Sequence, residues 1–243
     1  MEIPSDIPNN WLTEHSLNCQ LNELTSLPES ICHLNGLQEL RCNHNQLTSL
    51  PDSIGQLSDL LILDCYGNQL TSLPYSICHL NCLQELWLDN NKLTSLPESI
   101  GNLSSLQELW CDDNQITSLP DSIGQLNSLQ QLWCRNNKLT KLPDSIGQLS
   151  NLGILICSSN LLTNLPDSIE FLSNLKVLEC TNNQLISLPD SIRNLRGNIL
   201  DEIKTHIKMK KVLKKIKYLN LKKTLYEQLI LDLDTTSVIL QFV

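Results

Sequence analysis

Apolar and polar positions along most of this chain follow one sentence, repeated. It reads LxxLxCxxNxLTxLPxSIxxLxx and is 23 residues long. Full copies begin at Leu37, Leu60, Leu83, Leu106, Leu129, Leu152 and Leu175, and a degenerate one begins at Glu14. Within LxCxx the apolar residues alternate, which puts them on one face of a short strand and their neighbours on the other. In LPxSIxxL the proline suits the first turn of a helical segment, where its missing N–H would have no partner. An acidic residue usually follows (Glu29, Asp52, Glu98, Asp121, Asp144, Asp167, Asp190), favourable at a helix N-terminus. The isoleucine and leucine behind it pin that segment to the core. An asparagine just past each strand recurs without a miss from Asn22 to Asn183, and a proline from Pro28 to Pro189.

The eightfold LxxLxLxxNxL signature resembles the leucine-rich repeat family over about residues 14–197. The resemblance implies an α/β solenoid: a curved horseshoe with one short parallel strand per repeat on the concave face and helical turns outside. It also implies a ladder of asparagines satisfying backbone groups. The LPxSIGxL variant resembles repeats of Ras-pathway and polarity scaffolds, and of effectors from intracellular bacterial pathogens. That likeness implies protein binding, and for the second group delivery into a host cytosol.

Strand register separates the two faces. The outward row between the inward residues reads Asn18, Arg41, Asp64, Trp87, Trp110, Trp133, Ile156 and Glu179. Two residues earlier stand Glu85, Glu108 and Ile154; two residues later, Tyr66, Asp89, Asp112 and Arg135, with Asp113 next to them. The centre of the concave face is therefore expected to carry three neighbouring tryptophans, extended by Ile156 and Ile154, with Tyr66 at the other end and acids along the border. Aromatic anchors inside a polar rim make up a protein-binding hot spot. Indoles lying flat on one another and covering the sheet, or a tryptophan copied by duplication, are the structural alternatives.

Composition narrows the partner. The chain has 243 residues and a net charge of −9, against the basic surface that nucleic acid requires. Charge is unevenly spread, −13 over residues 1–197 and +4 over residues 198–243. That break sets off a helical C-terminal cap or tail over 198–243 from the repeats over 14–197, and an N-terminal cap over 1–13 using Ile3, Ile7, Trp11 and Leu12 precedes the first repeat. The cap's lysine cluster, among them Lys204, Lys208, Lys211 and Lys215, gives the alternative function, a membrane-associated scaffold. Seven of the ten cysteines share one inward repeat position, where Leu88 replaces the eighth. That exchange marks a small buried hydrophobe rather than a disulfide framework, and no CxxC pair is present for zinc. No secretory leader is expected in MEIPSDIPNN, so the location expected is cytoplasmic. No catalytic motif such as HExxH or GxSxG occurs, and neither an enzyme nor a cofactor is expected.

Overall fold

In a computed structural model, Ile7, residues 15–187 and Pro189 are described. Eight three-residue strands form one parallel sheet in sequence order. They are β1 (Ser16–Asn18), β2 (Glu39–Arg41), β3 (Ile62–Asp64), β4 (Glu85–Trp87), β5 (Glu108–Trp110), β6 (Gln131–Trp133), β7 (Ile154–Ile156) and β8 (Val177–Glu179). Each strand pairs with its copy one repeat on, so Asp64 lies beside Trp87, Trp87 beside Trp110, and Trp133 beside Ile156. Parallel strands need a crossover. Here it is a 3-10 turn such as Asp121–Gln125, opposite the sheet.

The proline stands one residue earlier than the sequence pattern implies. It occupies the capping position in extended conformation (Pro120, φ −68°, ψ 152°), and its carbonyl accepts the first turn bond from Ile123 N–H at 3.0 Å. The ring's fixed φ serves the approach to the turn. Glycine then allows close stacking on the outer side. A Cβ at Gly124 would sit 2.5 Å from the Ser145 carbonyl oxygen of the next repeat.

Between strands and turns runs a continuous core. Leu40, Leu63, Leu86, Leu109, Leu132 and Leu155 are fully buried, as are Ile54, Ile77, Ile100, Ile123 and Ile146 behind them. Cys42, Cys65, Cys111, Cys134 and Cys157 are fully buried in the same core, with Leu88 in their column. The Cys134 thiol donates weakly to the Ile156 carbonyl at 3.2 Å. Burial pushes the Cys19 thiol up to about 12 and those of Cys111, Cys134 and Cys157 well above their ordinary range. Thiols held un-ionised are poor nucleophiles.

The asparagine ladder closes the loops after the strands. The Asn114 side-chain amide donates to the carbonyls of Leu88 (2.9 Å) and Cys111 (3.2 Å), and its oxygen accepts from Leu93 N–H at 2.9 Å. Asn45, Asn68, Asn91, Asn137, Asn160 and Asn183 do the same one repeat along. Each residue before a ladder asparagine turns left-handed: Leu21, His44, Gly67, Asn90, Asp113, Asn136, Ser159 and Asn182, at φ 50–65°. Asn, Asp and Gly tolerate that region best.

Ile7 is buried as part of the hydrophobic core. Ile3, Trp11, Leu12, the C-terminal cap and its lysine cluster lie outside the described residues. Among the described residues no helix is long and apolar enough to cross a membrane.

Candidate functional site

The central strands bring the three tryptophans together as stacked rungs. Ring centroids are 5.6 Å apart for Trp87–Trp110 and 5.0 Å for Trp110–Trp133, with planes inclined by 30° and 29°. In-register strands lie about 4.8 Å apart, so indoles on adjacent rungs must stack or splay. Each of the three is half-buried. The third indole N–H is satisfied, since Trp133 donates to Gln131 at 3.1 Å and Gln131 in turn donates to Glu108 at 2.7 Å. The other two are not: Trp87 Nε1 and Trp110 Nε1 are buried without an acceptor. A buried donor left unpaired costs about 1–3 kcal/mol.

Acidic neighbours play two parts at once. Asp89 accepts the Asp112 backbone N–H at 2.7 Å, and Asp112 accepts that of Arg135 at 2.6 Å, a second ladder beside the indoles. Asp64 accepts from Tyr66 N–H at 3.0 Å. Burial dominates their acidity, raising Asp89 to about 6 and Asp112 to about 7 against these backbone bonds, with like charges on Asp64, Asp89 and Asp113 adding to it. Asp64 and Glu85 are raised also, again chiefly by burial. Asp113 is exposed, takes a left-handed backbone conformation and accepts from Asn136 at 2.8 Å.

The ends of the row differ from the expected picture. Ile156 is only 3 % exposed, so it closes the tryptophan ladder as a packed rung rather than extending an open patch. Its neighbours in register are the bulky Trp133 and Glu179, which cover it from both sides. Ile154 remains half-buried. Asp64 and Asp89, expected at an open rim, are only 4 % and 7 % exposed, because each folds onto a backbone N–H. At the other end Arg41 is tied to Glu39 through its guanidinium, which neutralises it locally. Tyr66 meets His44 edge-on at 4.8 Å, and its hydroxyl accepts from Asn90 at 3.1 Å. Arg135 is exposed, as is Asn90. Glu39, His44 and Gln131 were not singled out from sequence as site residues; the two-residue spacing of Glu39–Arg41 and Gln131–Trp133 on single strands was the available signal.

A hollow of about 550 Å³ lies over this surface, lined by Tyr66, Trp87, Trp110 and Trp133 together with Asp89 and Asp112. A second, of about 800 Å³, runs along the 3-10 turns and is walled by polar groups such as Lys141, Asp144 and Ser145. Among the described residues no group of three or more His, Cys, Asp or Glu side chains is placed to hold a metal ion.

A stack of parallel strands and 3-10 turns closed by an asparagine ladder defines a leucine-rich repeat solenoid, a fold that suggests a protein-interaction module. The model of a leucine-rich repeat region matches residues 17–113 and 111–197, and the chain belongs to that family. It is similar to a leucine-rich repeat protein of Leptospira interrogans, at 42% identity and a TM-score of 0.71, over 74% of this chain and 46% of that one. It is similar also to a plant peptide hormone receptor, RGFR1, solved in complex with RGF2, at 30% identity and a TM-score of 0.61, over 70% of this chain and 32% of the receptor. The chain thus spans less than half the length of either. No curated protein matches it.

Proposed function

We propose that this chain is a non-catalytic module that grips a partner protein in its concave face and regulates it by covering a surface. The observation that carries this reading is the tryptophan ladder at the centre of that face: three stacked indoles, half-exposed, beside a hollow. Indoles left partly in water at the middle of a face are the residues interfaces anchor on. The RGFR1 receptor, solved with its peptide, supports a polypeptide as the class of partner. A role as an effector acting in a reducing cytosol, including that of a host cell, fits the cysteine core, which needs no oxidation to pack.

The deciding experiment is quantitative affinity capture with wild type against Trp110→Ala/Trp133→Ala. Specific partners should be lost from the double variant. Capture that survives it, yet disappears when the lysines of residues 204–217 are neutralised, would replace this reading with the membrane-associated scaffold.

A further inference from the structure

The tryptophan ladder stops abruptly on one side. Trp87 stacks through one face on Trp110, but the rung beyond it is Asp64, whose short side chain folds back onto Tyr66 N–H. The outer side of the Trp87 indole therefore borders a step in the surface, and the hollow extends over that step from Trp133 to Tyr66 and Arg41. Carboxyl groups crowd it: Asp64, Asp89, Asp112 and Asp113 line the hollow, and Glu85 and Glu108 stand two residues before the indoles. The cations facing them are few. Arg41 is held by Glu39, and Arg135 is exposed at the margin.

Resting on the concave-face reading, we infer that the hollow between Trp87 and Tyr66 receives an arginine side chain from a basic segment of the partner. The flat guanidinium lies against the indole face, and its N–H groups reach the more open carboxylates of the lining, Asp112 and Asp113. Aromatic faces attract cations, most strongly where water is displaced, and guanidinium stacks on them better than ammonium does. A peptide cation fits better than a metal ion, since the floor is aromatic and no metal-holding cluster of His, Cys, Asp or Glu lies among the described residues. The raised pKa values of Asp89 and Asp112, about 6 and about 7, agree with buried carboxyls short of a counter-charge.

The test uses a fluorescein-labelled Gly-Arg-Gly-Arg-Gly-Arg-Gly peptide, with its citrulline counterpart, in anisotropy titrations of the full chain at pH 8. The arginine peptide should bind saturably, and citrulline should weaken it about ten-fold or more. Trp87→Leu should do likewise; an aliphatic rung is accommodated in this row at Ile156. Asp112→Asn, which keeps an acceptor for Arg135 N–H, should weaken binding several-fold and serves if Trp87→Leu fails to fold. Equal binding of citrulline and arginine peptides overturns the inference, as does absence of saturable binding or indifference to both variants. If citrulline binds equally while Trp110→Ala/Trp133→Ala still abolishes partner capture, the concave-face reading stands and the arginine assignment alone falls. If that double variant also captures normally, both fall.

Discussion

Asparagine and tryptophan columns run side by side along one sheet, in the same 23-residue rhythm, and end in opposite chemical states. Asn114 uses its amide and its oxygen on four backbone partners of its own chain. Trp110 uses its faces on its neighbours but leaves its N–H without an acceptor. The first column is closed in seven repeats, from Asn45 to Asn183. The second occupies three rungs only, then gives way to Asp64 on one side and a buried Ile156 on the other. Periodicity alone thus does not separate scaffold from site. What separates them is whether the chain's own groups consume the side chain's bonding capacity.

Four substitutions or conditions probe that difference, beginning with the strongest. Trp110→Ala/Trp133→Ala should weaken partner binding by more than about 100-fold, because hot-spot truncations cost ~2 kcal/mol or more each. Thermal melts should fall far less than that loss implies, since the rings are half-exposed; equal losses would make the ladder structural. Asn114→Ala should do the reverse. It strands the carbonyls of Leu88 and Cys111 and the N–H of Leu93 in the core, at about 3 kcal/mol in urea unfolding, with the concave surface chemistry unchanged.

The third concerns pH. Asp89 and Asp112 have folded-state pKa values of about 6 and about 7, above the ordinary value near 3.8. Their protonated forms are thus favoured by folding. The stability they contribute is present below about pH 4 and is lost as pH rises through 6 and 7. Unfolding free energies from urea titrations should therefore fall between pH 5 and pH 8, by up to about 4 kcal/mol for the pair, and Asp89→Asn/Asp112→Asn should flatten that slope. The smallest effect belongs to Leu21, left-handed at φ 59° and 70% exposed. Leu21→Asn relieves backbone strain without losing core contact and should raise stability by about 1 kcal/mol. No gain would mean that the first repeat is not held in that conformation.

The strand register was legible in the sequence because inward leucine and cysteine alternate with the outward row at every copy, so one assignment settles all eight. The buried cysteines followed from Leu88 standing in their column. The depth of the outward row was not legible. Alternation says which way Asp64, Asp89 and Ile156 leave the strand, yet not that two of them bend onto a backbone N–H and the third is roofed by Trp133 and Glu179. Asp113 shows a similar limit, since its place in the left-handed column gives a backbone reason for an acid that composition alone assigns to a binding rim.

The ladder bonds have a consequence for how such a molecule changes over generations. Every one spans a fixed offset, with Asn137 donating to the Cys111 carbonyl 26 residues back and accepting from the Ile116 N–H 21 residues back. Inserting or deleting one whole 23-residue unit leaves each of those offsets intact. A single-residue slip anywhere within it breaks the bonds of two rungs together. Inheritance can therefore lengthen, shorten or re-letter the concave surface in whole lines, while its punctuation resists every smaller edit.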